Sequence, residues 1–145
     1  MSAVSEIMCS KVVTIDGNSD PSVLDVVGEM VKNKTGAIII LENGKPSGII
    51  TERDILKKVS AHNKKPKDVQ AKNIMSSPLI TVKAYDSVDT AAKAMTKNKI
   101  KRLPILETDG SLVGMISATD IAKKLAKILA DDYNRYRSLK GALEL

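Results

Sequence analysis

The chain repeats itself with a period of about 66 residues, and this feature restricts its possible folds more than any other. The dipeptide Ile7–Met8 returns as Ile74–Met75, and Asp54–Ile55 returns as Asp120–Ile121. Self-similarity at such a period means that one supersecondary unit occurs twice. A unit of about 60 residues is only marginally stable as an independent core. We therefore expect the two copies to pack against each other.

Each copy is predicted to run strand, helix, strand, hairpin, strand, helix. Apolar residues that recur at i, i+3, i+4 and i+7 predict amphipathic helices beginning near Val23 and Val88. Asn43–Gly44 and Asp109–Gly110 lie between apolar runs and predict hairpin turns. The first strands are predicted at residues 12–15 and 79–82. The expected fold class is α+β, with two tandem β-α-β-β-α repeats packed pseudo-symmetrically and a C-terminal helical extension.

The repeat divides the chain into three predicted segments. Residues 1–65 form the first repeat, residues 66–130 form the second, and residues 131–145 form a C-terminal helical tail. The charged stretch Lys64–Asp68 is interpreted as a solvated connector between the repeats. Tyrosines and leucines are mixed with charges in the tail, which fits an oligomer contact at least as well as a free end.

Composition excludes several classes of function. The longest aliphatic run is Ala37–Leu41, and no charged segment leads into an apolar one, so we predict no membrane span, no signal peptide and a cytoplasmic location. One cysteine and one histidine cannot form an internal disulfide or a zinc cluster, and we expect neither metal nor cofactor. The net charge of +6 favours anionic partners, whereas 2% aromatic residues offer few stacking surfaces for single-stranded nucleic acid.

The pattern Gly-x-x-(Thr or Ser)-x-x-Asp occurs at both predicted strand-to-helix junctions, as Gly48–Asp54 and as Gly114–Asp120. A glycine lets a ligand approach the backbone, a helix N-terminus attracts phosphate, and the aspartate can accept hydrogen bonds from both ribose hydroxyls. The same residues match a helix capping box, which needs no ligand. Two matches at equivalent positions favour nucleotide binding, and capping is kept as the alternative.

Together, the repeat, the Ile-Met opening, the Leu103–Ile105 strand and the two Gly-x-x-(Thr/Ser)-x-x-Asp-Ile motifs resemble the cystathionine β-synthase (CBS) domain family. The resemblance covers residues 5 to about 130 and extends to stand-alone prokaryotic CBS-domain proteins. In that family, two tandem repeats form a Bateman module with two clefts between their sheets. The resemblance implies that the clefts bind AMP, ADP or ATP, and less often S-adenosylmethionine.

The resemblance also implies roles for individual residues. Asp54 and Asp120 match the aspartates that bind ribose. Thr51 and Ser117 match the hydroxyl positions beside ribose and phosphate. The strand positions that flank adenine in the family correspond to Val13 and Ile80.

The basic positions implied by the resemblance differ between the two repeats. Lys101 and Arg102 match positions that contact phosphate across the cleft from the other repeat's aspartate, so one site is expected to combine them with the first junction. Arg53 matches a basic position near phosphate in the other site. The equivalents of these residues are Thr35–Gly36 and Thr119, so the two sites need not bind alike.

The resemblance implies a regulatory nucleotide-binding module rather than an enzyme. A catalytic triad is also not expected, because His62 has no nucleophile constellation nearby. We expect a homodimer formed through helical faces, signalling to an unidentified regulated protein. One alternative is a ligand-free structural dimer. A second, less favoured alternative is nucleic-acid binding through a lysine surface. That surface would comprise Lys57, Lys58, Lys64, Lys65, Lys67, Lys123, Lys124 and Lys127.

Overall fold

The computed structural model describes residues 2–143. Met1 of the predicted first repeat and residues 144–145 of the predicted tail lie outside the described residues. The first repeat contains β1 (Thr14–Asp16), α1 (Val23–Asn33), β2 (Ala37–Glu42), β3 (Lys45–Thr51) and α2 (Glu52–Lys58). The second contains β4 (Val82–Lys83), α3 (Val88–Asn98), β5 (Arg102–Leu106), β6 (Leu112–Ser117) and α4 (Ala118–Leu143). The predicted α+β class, the repeated element order and the C-terminal helical extension are confirmed.

Each repeat builds its own three-stranded sheet, in the order β1-β2-β3 and β4-β5-β6. The first two strands of each sheet are parallel, because a helix crosses over between them, and the last two form an antiparallel hairpin. The register pairs Ala37 with Thr51 in the first sheet and Arg102 with Ser117 in the second. The start of the middle strand therefore lies beside the strand-to-helix junction in both repeats.

The two hairpin turns follow the predicted signals. Asn43 and Gly44 both adopt positive φ, at 52° and 76°, which is the conformation that an Asn-Gly turn favours. In the second hairpin Gly110 has φ 86°, and Asp109 accepts hydrogen bonds from the Ser111 hydroxyl and amide at 2.6 and 2.9 Å. These two hydrogen bonds lower the pKa of Asp109, the side-chain bond having the larger effect.

The helices α1 and α3 match the predicted apolar stripes. Val23, Val26 and Met30 of α1 are buried against the first sheet, while Ala91 and Met95 of α3 are buried against the second. The side chain of the N-cap serine accepts a hydrogen bond from a first-turn amide in both helices. The two methionines therefore serve core packing, as the spacing predicts.

The opening segment of each repeat packs on the other repeat. Val4 is fully buried in the core of the second sheet, beside Ile116, and Ile74 is buried in the core of the first, beside Ile50. Backbone hydrogen bonds hold the exchange: Cys9 pairs with Met115 at 2.9 Å in both directions, and Ser76 pairs with Ile49 at 2.9 and 3.1 Å. The expected mutual packing of the copies is therefore an exchange of segments.

The motif glycines leave room for this exchange, a packing role that the sequence interpretation did not include. A Cβ on Gly48 would lie 2.5 Å from Met75 Sδ and 3.1 Å from the Ser76 carbonyl oxygen. A Cβ on Gly114 would lie 3.1 Å from Met8 Cγ and 3.0 Å from the Cys9 carbonyl oxygen. The Ile-Met opening of one repeat thus lies against the motif glycine of the other.

Replacing Gly48 with alanine is expected to destabilise the ligand-free protein by about 1–3 kcal/mol, because the added methyl overpacks the contact with Met75. Gly28→Ala is the matched control, since a Cβ there has no neighbour within 4 Å, and it should stabilise α1 by roughly 0.5–1 kcal/mol. Urea denaturation measures both. Adding Met75→Ala to Gly48→Ala should restore part of the loss, and equal effects at the two glycines would contradict this packing role.

Candidate functional site

The first strand-to-helix junction is a complete capping box. The Thr51 hydroxyl accepts a hydrogen bond from the Asp54 amide at 3.4 Å, and Asp54 Oδ2 accepts from the Thr51 amide at 2.9 Å. The Thr51 hydroxyl also donates to Asp54 Oδ2 at 3.1 Å. The capping alternative is therefore realised in the structure, and it engages only one of the two carboxylate oxygens.

The second junction repeats this arrangement. Asp120 Oδ2 accepts from the Ser117 amide at 2.9 Å, and the Ser117 hydroxyl accepts from the Asp120 amide at 3.0 Å. Within residues 2–143, Asp120 Oδ1 has no hydrogen-bond or ion-pair partner. Both side chains are partly buried, so this oxygen is held in one place by the cap. It can accept a hydrogen bond from a ligand without disturbing α4.

Asp54 Oδ1, the carboxylate oxygen that the cap does not use, differs from Asp120 Oδ1 because it has a neighbouring cation. Lys58 Nζ lies 3.4 Å from Asp54 Oδ1 and donates a hydrogen bond to the Ile74 carbonyl oxygen at 2.8 Å. The ammonium group therefore joins the first junction to the exchanged opening segment of the second repeat. Lys124 is the repeat equivalent of Lys58, but in the described part of the chain it forms no ion pair with Asp120. The two junctions are thus electrostatically unequal.

Arg102 reaches from the second repeat to the first. Its backbone pairs with Ser117 in the second sheet, while Nη2 lies 3.0 Å from the point where a Cβ on Gly36 would be. The same point is 3.0 Å from Cδ of Glu52, the residue that follows Thr51. A guanidinium group therefore lies where the two junctions approach each other, and the missing side chain at Gly36 leaves room for it.

The other predicted site residues are more dispersed. The carbonyl oxygen of Lys101 accepts from the Ala118 amide at 2.9 Å, and the side chains of Lys101 and Arg53 are exposed. Val13 packs partly against the first core, and Ile80 is 38% exposed. The structure brings Arg102 to both junctions, whereas the contacts of Lys101, Arg53, Val13 and Ile80 do not bring them together. The binding roles of all nine residues stay predictions.

Two cavities lie outside these junctions. One of about 540 Å³ separates the two hairpin tips, at the opposite end of the sheets from Thr51 and Ser117, and none of the nine predicted site residues lines it. The other, of about 490 Å³, is bordered by Lys58, Lys64, Lys65 and Ile74 beside the connector. Three residues of the second cavity, Lys58, Lys64 and Lys65, belong to the lysine surface of the nucleic-acid alternative, and none of the nine predicted nucleotide-binding residues lines it. The candidate nucleotide site around the junctions lies outside both of these cavities.

Sequence reasoning missed how three residues shape the site: it named Lys58 only in the lysine surface, Gly36 only as the repeat equivalent of Arg102, and assigned no role to Glu52. Lys58 was detectable, because it stands four residues after Asp54 on a helix, the spacing of an ion pair. Glu52 and Gly36 carried no local signal. Their importance comes from the approach of Arg102, which depends on how the two repeats are oriented.

The comparison with known families identifies the repeat. The family model described as CBS domain matches residues 4–61 and residues 71–127. The chain belongs to the CBS-domain family, as a tandem pair. Pairs of CBS domains are generally regulatory, ligand-binding and non-catalytic modules.

Several curated relatives share this CBS pair. An uncharacterised protein of Methanocaldococcus jannaschii is 44% identical over 126 residues, covering 87% of this chain and 63% of that protein. An uncharacterised protein of Methanopyrus kandleri is 37% identical over 120 residues, covering 82% and 60%. The mitochondrial CBS domain-containing protein CBSX3 of Arabidopsis thaliana is 32% identical over 130 residues, covering 83% and 63%. The chain thus spans about three fifths of the length of these relatives.

Two solved structures extend the comparison. A hexameric CBS-CP12 protein from bloom-forming cyanobacteria is 32% identical with a TM-score of 0.77, covering 84% of this chain and 70% of that one. The CBS domain pair of protein MJ0100, in complex with 5′-methylthioadenosine and S-adenosyl-L-methionine, is 26% identical with a TM-score of 0.78, covering 88% and 98%. For residues 2–143 of this CBS pair, no helix is long and apolar enough to span a membrane.

Removing the Lys58 ammonium tests its link between the repeats. Lys58→Met is expected to lower the free energy of unfolding by about 1 kcal/mol, because a partly exposed ion pair and one hydrogen bond are lost. Lys124→Met, at the equivalent helix position, should stay within about 0.5 kcal/mol of wild type. Thermal unfolding at low and high salt measures both, and part of the difference should shrink with salt. Equal effects at the two lysines would contradict the link.

Proposed function

We propose that this CBS pair is a regulatory module that binds an adenine nucleotide, AMP, ADP or ATP, at its strand-to-helix junctions. The observation that carries the proposal is the guanidinium of Arg102, which reaches Gly36 and Glu52 beside the first junction. A cation next to a helix N-terminus suits a phosphate group. In this proposal ligand binding controls a separate, unidentified regulated protein.

In this proposal the capping aspartates also hold ribose. One oxygen of each carboxylate remains in the cap, while the other accepts hydrogen bonds from the 2′- and 3′-hydroxyls. Asp120 Oδ1 is suited to this because nothing in residues 2–143 bonds to it. Asp54 Oδ1 is shared with Lys58, whose ammonium lies 3.4 Å away. Val13 and Ile80 flank the adenine, and Thr51, Ser117, Arg53 and Lys101 lie near ribose and phosphate.

The ligands bound by one structural neighbour support the proposal that the ligand of this chain contains adenosine. Protein MJ0100 has been solved with 5′-methylthioadenosine and S-adenosyl-L-methionine, which share adenosine with AMP. S-adenosylmethionine is therefore the second candidate ligand. The net charge of +6 and the position of Arg102 favour phosphate over sulfonium. Calorimetry with AMP, ATP, 5′-methylthioadenosine and S-adenosylmethionine ranks the candidates.

We also propose that the chain is a homodimer. Most of the large apolar side chains of α4 are exposed to solvent. A large exposed apolar patch is typical of a protein–protein interaction site. A hexameric assembly is known for the cyanobacterial CBS-CP12 neighbour.

Nucleic-acid binding stays the less favoured alternative, and a filter-binding assay at physiological salt tests it.

Asp54→Asn is expected to weaken AMP binding by about tenfold or more, since a hydrogen bond to a charged group contributes about 1.5–3 kcal/mol and a decade in affinity corresponds to about 1.4 kcal/mol. Asparagine keeps the size and one acceptor oxygen. Calorimetry measures the affinity, and Asp120→Asn provides the matched variant in the second repeat. We expect the smaller loss there, because Arg102 reaches the first junction.

The sugar provides the control for this substitution. 2′-Deoxy-AMP should bind wild type more weakly than AMP, and Asp54→Asn should discriminate less between the two sugars. Variants that bind AMP normally but melt several degrees lower would show that both aspartates are caps alone. That outcome would refute the ribose role and leave the ligand-free structural dimer.

Arg102→Met is expected to weaken AMP binding by about tenfold or more and to leave adenosine binding nearly unchanged, because only the phosphate needs the guanidinium. Gly36→Ala should act in the same direction without loss of stability, since its methyl displaces the flexible ends of Glu52 and Arg102. Lys97→Met, an exposed residue of α3, controls for the lost charge. Equal losses for AMP and adenosine would place the arginine outside the phosphate site.

A further inference from the structure

The last helix has an apolar face that no part of the described chain covers. Leu125, Ile128, Leu129, Tyr136, Leu139 and Leu143 of α4 are 43–84% exposed. Their spacing of 3, 4, 11, 14 and 18 residues from Leu125 places them on one side of an α-helix, because 11 and 18 residues are close to whole numbers of turns. The face is therefore a continuous stripe rather than scattered exposed residues.

An isolated helix of this kind is a weak structure in water. Residues 125–143 are all exposed, so they receive no packing from the two sheets. In proteins, most of the stability of a helix comes from tertiary packing of its amphipathic face rather than from helix propensity. The stripe therefore needs a covering surface that runs along about 28 Å of helix.

The charged residues of α4 indicate which kind of surface can cover the apolar stripe. Asp132 lies within the stripe, and Arg135 lies at its edge, 3.8 Å from the carboxylate in the same helix. A carboxylate in the middle of the stripe disfavours a lipid surface, because burying a charged side chain among lipid tails is costly. A parallel second copy would place Asp132 against Asp132, which is also unfavourable.

An antiparallel second copy satisfies both the apolar and the charged residues. A twofold axis that crosses α4 between Tyr133 and Asn134 places residue i opposite residue 267 − i. It sets Ile128 opposite Leu139 and Asp132 opposite Arg135 of the other copy, and each contact occurs twice. Leu125 then lies next to Leu143, at the two ends of the paired region. The two pairs of sheets lie at opposite ends of the helix pair and do not compete for space.

We infer that α4 is the homodimer interface, with two copies paired antiparallel about an axis between Tyr133 and Asn134. The inference rests on the proposed homodimer and assigns it a surface. The apolar stripe supplies the attraction, and the two Asp132–Arg135 pairs between copies specify the antiparallel direction, as polar residues do in paired helices. Nucleotide binding at the junctions is a separate property and does not depend on it.

A charge exchange tests the interface. Asp132→Arg and Arg135→Asp each place like charges opposite one another, so each variant should raise the dimer dissociation constant at least about tenfold, equivalent to about 1.4 kcal/mol. Mixed in equal amounts, the two variants should form a heterodimer, because every arginine at these two positions then faces an aspartate of the other chain. Light scattering should report twice the 15.6 kDa chain mass for wild type and for the mixture, and native mass spectrometry should identify the mixed species.

Leu24→Glu on α1 is the matched control, since Leu24 is also an exposed helix residue, at 52%. This variant should remain dimeric, whereas Leu139→Glu should dissociate. Wild type that is monomeric at tens of micromolar overturns the inference, and so do charge variants that stay dimeric or a mixture that stays monomeric. A dimer lost only in Leu24→Glu would assign the interface to α1. AMP calorimetry on the same samples reports separately on the proposed nucleotide site.

Discussion

Each sheet of this protein is completed by the opening segment of the other repeat, and the rest of the structure depends on that exchange. Val4 fills the second core and Ile74 fills the first, while backbone pairs at Cys9 and Ser76 hold the two segments in register. Neither repeat could bury these residues alone. The contact requires glycine at positions 48 and 114, because any side chain there would overlap the methionine of the incoming segment.

The exchange also determines what the two junctions can present to a ligand. It orients the repeats so that the equivalent positions 36 and 102 approach each other, and the space between them holds one long side chain. Glycine at position 36 leaves that space to the Arg102 and Glu52 side chains. The same packing places the Ile74 carbonyl oxygen within reach of Lys58, with no such bond at Lys124 in the described chain. Two repeats of similar sequence thus produce two chemically different junctions.

Local signals predicted most of the elements, whereas the relations between repeats escaped them. The stripes of α1 and α3 and the turn at Asn43–Gly44 were predictable because helical periodicity and left-handed turn residues act within a few positions. The exchange was not, since Ile7–Met8 and Ile74–Met75 are identical and pattern alone does not say which sheet each one covers. The approach of Arg102 to Gly36 depends on the same long-range choice. The ion pair at Lys58 lay within reach of sequence reasoning.

The Gly-x-x-(Thr/Ser)-x-x-Asp motif was open to two interpretations, helix capping and ligand binding, because each aspartate carboxylate has two oxygens that can accept hydrogen bonds from different partners. In both junctions Oδ2 accepts the amide of the N-cap residue, which holds the side chain in a single rotamer whether or not a ligand is present. Such a carboxylate loses little conformational freedom when its other oxygen accepts a hydroxyl, so part of the entropic cost of binding is already met by folding. Capping and the proposed ribose recognition are therefore physically compatible. The presence of a cap is no argument against a ligand, and a cap that leaves one oxygen unbonded, as at Asp120 in the described chain, is preorganised for one.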